Sequence, residues 1–119
     1  MISVGAFFGF LSVAMGAFGA HALKEKIDPQ MLDVFKTGVH YMQFHAVAIL
    51  VYAIWIKSNG LQDQISAFYA FVLGIFIFTG SLTILALTGV RIWGAVTPIG
   101  GLAFLVGWVL FAVQGWKQS

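Results

Sequence analysis

Charged residues divide this chain into four long stretches free of Asp, Glu, Lys and Arg. The first runs from Ile2 to Leu23 and ends at Lys24-Glu25-Lys26. The second runs from about Thr37 to Lys57, the third from Ile65 to Leu87, and the fourth from about Gly94 to Trp116. A hydrocarbon core of about 30 Å takes roughly 20 apolar residues as a helix, so each stretch reads as a membrane span. Their apolar positions are continuous rather than alternating with a period of two, which argues against a β-barrel. The connections are short, and short connections place consecutive helices antiparallel. The predicted architecture is all-α, an integral membrane four-helix antiparallel bundle, with residues 1–119 as a single domain.

Local signals refine the boundaries. Asp28-Pro29 is a helix start, because Asp caps free amides and Pro suits the first helical position. From residue 29 to 36, Met31, Leu32 and Phe35 oppose Gln30, Asp33 and Lys36, the pattern of an amphipathic turn in the headgroup layer. The second helix is therefore expected to begin before its span. Ser58-Asn59-Gly60 and Thr88-Gly89-Val90-Arg91 read as turns. Thr97-Pro98 is expected to cap and start the fourth helix, with residues 92–96 as an irregular lead-in; the other reading is a longer helix kinked at Pro98. Trp55, Trp93 and Trp116 stand at span ends as interfacial anchors, and Trp108 lies deeper as a packing residue. Ala20-His21-Ala22 has the form of a signal-peptide cleavage site. The first stretch lacks a basic leader and is long for such a segment, so it reads as a retained helix.

Composition agrees with lipid as the main solvent. Of 119 residues, 61% are hydrophobic and 8% charged, against about 25% charged in soluble domains. Ten charged side chains cannot cover a soluble protein this small. The net charge of +2 does not mark a nucleic-acid binder. There is no cysteine, which removes disulfides and thiolate chemistry. Lys24, Lys26, Lys36 and Arg91 fall on one side, Lys57 and Lys117 on the other. The positive-inside bias then puts the first and third loops in the cytoplasm and both termini outside.

Candidate chemistry is sparse. His21, His40 and His45 are the only histidines. At about 100° per residue, His40 and Gln43 are about 60° apart on the second helix, and the hairpin brings His21 to the same end. His21, His40 and Gln43 form a candidate polar cluster, with His45 more than a turn deeper. Intramembrane ionisable groups are costly and often functional. Such imidazoles could ligate haem or metal, relay protons, or hydrogen-bond between helices. The last is preferred, because no carboxylate, thiolate or spaced His pair completes a metal set. Thr79, Gly80, Ser81 and Thr83 read as packing. No nucleophile elbow, phosphate loop or paired carboxylate points to an enzyme. No cofactor is expected, and the lack of a membrane-embedded acid argues against an ion-coupled transporter.

Small residues recur every four positions. Gly5 and Gly9 mark one face of the first helix, and Ser12, Gly16 and Ala20 a neighbouring one. Ala70 and Gly74 repeat the pattern in the third helix, Ala103 and Gly107 in the fourth. Such stripes let helices approach closely in lipid. Intramolecular packing is the first expectation. Membrane lipids are the expected partners, with a homo-oligomer through the first helix as a further one.

Several phrases occur in fixed order: Gly16-Ala17-Phe18-Gly19-Ala20-His21-Ala22-Leu23; Phe35-Lys36-Thr37-Gly38-Val39-His40-Tyr41-Met42-Gln43-Phe44-His45-Ala46; Phe78-Thr79-Gly80-Ser81-Leu82; Thr88-Gly89; Thr97-Pro98-Ile99-Gly100-Gly101-Leu102-Ala103-Phe104; and Gly107-Trp108. Together they resemble a family of small inner-membrane proteins of unknown function that includes the YgdD and YwdK types and is similar to eukaryotic transmembrane protein 256. The resemblance covers nearly the whole chain. It implies a multi-pass protein of the cell membrane without an assigned enzyme activity, some of whose bacterial members look like contributors to membrane integrity.

Overall fold

The computed structural model describes residues 1–119 as four helices with no strand. Here α1 is Ile2–Leu23, α2 Pro29–Ser58, α3 Ser66–Thr88 and α4 Ile92–Gln118, each long and apolar enough to cross a membrane. The main contacts join α1 to α2, α2 to α3 and α3 to α4. Half of the most apolar stretch of α2 is buried, against 17% of that in α1. Thus α2 is central and α1 peripheral.

The start of α2 follows from its capping. The Asp28 side chain accepts from the amide of Met31 at 2.8 Å, and Pro29 occupies the first turn. The apolar face of this turn packs on protein: Leu32 and Phe35 are buried in a small cluster with Ala20, Val39 and Ala86. A larger core at the other end gathers Phe8, Met42, Ile49, Tyr52, Phe71 and Phe104. The end of α3 is set by Gly89, whose φ of 71° is left-handed and suits glycine.

Helix α4 corrects the expected start at Thr97-Pro98. It begins at Ile92, and Pro98 lies inside it. Thr97 does not cap forward amides. Its hydroxyl reaches back to the carbonyl of Trp93 at 3.1 Å and meets the Ser81 hydroxyl at 2.7 Å. Membrane helices tolerate an interior proline where neighbouring helices and hydroxyl side chains support the interrupted turn.

Two helices contain a π-helical turn, over Ala14–Gly19 in α1 and Ile75–Thr79 in α3. Such turns admit one extra residue and re-aim the side chains around them. In α3 the turn ends at Thr79, whose hydroxyl donates to the Gly38 carbonyl of α2 at 2.7 Å. In α1 the turn carries Gly16 and Ala17, both exposed.

Candidate functional site

Helix geometry separates the two histidines of α2. Five residues turn the helix by about 500°, so His40 and His45 point about 140° apart. His45 faces inward and is buried. Its Nδ1 is 2.7 Å from the Tyr41 carbonyl oxygen, an acceptor, so Nδ1 carries the hydrogen. Its Nε2 accepts from the Trp108 indole at 3.0 Å. The Phe104 ring stacks on the imidazole, 3.6 Å between centroids and 8° from parallel. Both nitrogens of a neutral imidazole are thereby engaged, and neither offers a lone pair to a metal. Trp108, read from the sequence as packing alone, also provides the donor that holds His45.

Most other polar groups within the bundle are also paired. The Tyr52 hydroxyl lies against both the Gln64 carbonyl and the side-chain amide of Gln114, which reaches on to Ser66. One phenolic hydrogen cannot serve two acceptors. The chain closes when Tyr52 donates to Gln64, the Gln114 NH2 donates to Tyr52, and Ser66 donates to the Gln114 carbonyl, an amide orientation that hydrogen-bond logic must assign. Ser81 with Thr97 joins α3 to α4, and Thr79 with Gly38 joins α2 to α3. Thr83 Oγ1 is the one buried side-chain oxygen without a partner. None of these links was legible in the sequence, because each depends on which residues face one another across a crossing.

His40 and Gln43 lie elsewhere, exposed on the side of α2 beside α1. With Lys36 they occupy positions i, i+4 and i+7, one face of a helix. They line a groove of about 510 Å³, whose other wall is Ser12, Val13, Gly16 and Ala17 of α1. The small side chains of the π-helical turn create the space. His21 is exposed near the end of α1 and does not line this groove. The structure thus brings His40 and Gln43 together on one groove, adds Lys36 to them, and turns His45 inward. No group of three or more His, Cys, Asp or Glu residues is placed to hold a metal ion.

The packing glycines differ in their surroundings. A Cβ on Gly5 would stand 2.9 Å from Leu50, and one on Gly16 3.3 Å from Val39. Gly74 receives the Phe104 ring, and a Cβ on Gly107 would stand 2.7 Å from the Phe71 ring. Ala20 is buried. Gly9 has nothing within 4 Å. A Cβ on Gly100 would run into the backbone of Phe78, the closest approach of backbone to any of these glycines. In the sequence Gly100-Gly101 stands out only as part of the phrase from Thr97 to Phe104 that carries the family resemblance.

Four apolar spans, a central α2 and hydrogen bonds closed between helices define a multi-pass α-helical membrane protein. The chain belongs to the family described as Protein of unknown function (DUF423), which matches residues 15–101, an interval holding Gly100 and, of the groove, Gly16, Ala17 and the α2 wall. The UPF0382 membrane protein YwdK of Bacillus subtilis is 41% identical over 117 residues, covering 98% of this chain and 95% of its own length. The UPF0382 inner membrane protein YgdD of Escherichia coli K12 is 40% identical over 118 residues, covering 95% and 86%. The UPF0382 membrane protein SH2409 of Staphylococcus haemolyticus is 37% identical over 116 residues, covering 98% and 94%. No solved structure matches. The resemblance read from the sequence is borne out by these relatives.

Proposed function

We propose that this protein is a non-catalytic membrane component that supports membrane integrity through lateral contacts with lipid. The observation that carries this reading is how its polar groups are distributed. His45, Tyr52, Thr79, Ser81, Thr97, Trp108 and Gln114 hydrogen-bond within the bundle, which favours a packed interior over a polar path across it. The outer faces carry large apolar side chains, among them Phe10 at 73% and Phe18 at 75% exposure. No nucleophile stands beside a base, and His45 is occupied on both nitrogens.

The test is dye exclusion. Cells lacking the protein should take up propidium iodide more readily than cells in which it is restored. Equal uptake with and without the protein would contradict the proposal. The competing reading, a small proton conduit, would gain if liposomes containing the protein passed protons and His40→Ala abolished the flux. A Soret band in the purified protein would replace both with a haem-binding module.

A further inference from the structure

We infer that the α1–α2 groove is a binding site for the anionic phosphodiester headgroup of a membrane phospholipid. Lys36 supplies the charge, and His40 and Gln43 supply hydrogen bonds to the phosphate and ester oxygens. The inference rests on the reading of the protein as one that works through lipid contacts, and gives that contact a place and a chemistry.

Depth is the first argument. Lys36 sits where α2 meets its span, and seven residues of helix put Gln43 about 10 Å deeper. A groove at that level opens on lipid, and the molecule that fills it in a bilayer is a lipid. The second argument is the need of the side chains themselves. Lys36, His40 and Gln43 take no part in the side-chain hydrogen bonds of the bundle, while their neighbours Thr37 and His45 do. Polar groups facing hydrocarbon without a partner are costly. The phosphate and ester oxygens of a phospholipid meet that need in the order in which the residues descend.

Charge selects among lipids. The groove is lined by one lysine and by no Asp or Glu. Asp33, one turn from Lys36, is exposed outside it. The antiparallel topology puts Lys24, Lys26 and Arg91 at the same end of the bundle as Glu25 and Asp28, so the charge that selects is that of Lys36 inside the groove. A headgroup without its own cation fits this site better than a zwitterionic one. Volume is adequate, since about 510 Å³ falls within the range of sites for small molecules. On the α1 wall, Ser12 turns its hydroxyl to its own helix at Gly9, 2.8 Å away. That wall therefore offers shape, and α2 offers the polar contacts.

The test uses the full chain in dodecyl maltoside and native mass spectrometry, with dioleoylphosphatidylglycerol or dioleoylphosphatidylcholine added. We expect a one-to-one adduct with the glycerol lipid, retained about tenfold better than the choline lipid, the scale of one charge-assisted hydrogen bond. Lys36→Gln should remove that preference, Gln43→Leu should weaken the adduct, and Lys117→Gln should change neither. All three positions are exposed, and circular dichroism checks that each variant is folded. Equal retention of both lipids, or an undiminished preference in folded Lys36→Gln, overturns the site. So does an adduct with inorganic phosphate alone, or a groove closed by a second copy that excludes lipid. If the site fails while cells lacking the protein still leak dye, the lipid-contact reading survives without it. If the adduct forms and those cells do not leak, the integrity role fails instead.

Discussion

The seam between α3 and α4 and the seam between α1 and α2 solve the same problem in opposite ways. Lipid supplies no hydrophobic force to press helices together, so they must gain from close packing and hydrogen bonds. Across α3–α4, Phe71 fills the space at Gly107, Phe104 that at Gly74, and the Phe78 backbone lies against Gly100. These pairs descend in antiparallel register, and each notch is filled by the facing helix. Across α1–α2, one edge closes at Gly5 with Leu50, at Gly16 with Val39 and at Gly19 with Phe35. The other edge stays open as the groove of Lys36, His40 and Gln43. The π-helical turns divide in the same way: that of α3 ends in a buried hydrogen bond to Gly38, and that of α1 exposes Gly16 and Ala17. Glycine therefore has two uses here. Across α3–α4 it admits an aromatic ring or a backbone; across α1–α2 Gly5 and Gly19 likewise receive Leu50 and Phe35, while the exposed side of Gly16 leaves room.

The sharpest way to break this contrast is Gly100→Ala. Its Cβ would meet the backbone of Phe78, which cannot swing aside as a side chain can. Overpacking of this kind costs about 1–3 kcal/mol, and the value here should lie at the upper end. It is read as a lower melting temperature in detergent by circular dichroism. A melting temperature equal to wild type would mean that the α3–α4 crossing is looser than described.

Trp108→Phe comes next. It keeps a ring at the site but removes the donor to His45 Nε2. Interhelical hydrogen bonds in membranes contribute about 0.6 kcal/mol on average and up to about 1.7. A loss near 1 kcal/mol is expected, and in a double-mutant cycle His45→Leu should abolish it. Additive losses in that cycle would show that the indole and imidazole are not coupled. Thr79→Val, which removes the hydroxyl bond to Gly38, should cost about 0.6 kcal/mol by the same average.

The smallest effect is expected at Gly9, where a new Cβ has open space. Gly9→Ala should stay within about 0.5 kcal/mol of wild type. Crosslinking in membranes sharpens the same point. If Gly9 is the contact of a second copy, Gly9→Ile will reduce crosslinked oligomers while the monomer stays folded.

The four spans were legible because a bilayer imposes a length and an apolar composition that no pairing can disguise. Asp28-Pro29 was legible for a local reason, since a cap acts on the next few amides. Pro98 was misplaced because a proline inside a helix is supported by what lies beside it, here Ser81 of α3 bonded to Thr97 in the turn before the proline. His45 and Trp108 are 63 positions apart, and nothing periodic in either segment connects them. Lys36 was assigned to the amphipathic start of α2. Its place in the groove becomes visible only when α1 is set beside it and the π-helical turn withdraws the opposing wall.

The central claim is that the open seam holds an anionic lipid while the closed seams hold the bundle. Thermal unfolding of the full chain in detergent, with and without dioleoylphosphatidylglycerol, tests both halves together. A ligand at a hundred times its dissociation constant stabilises the native state by about 2.7 kcal/mol. Wild type should melt higher with the lipid. Trp108→Phe should start lower and rise by the same amount, and Lys36→Gln should start near wild type and rise only about half as much, the ~1.4 kcal/mol left by tenfold weaker binding. An equal rise in Lys36→Gln, or no rise in wild type, would contradict the claim.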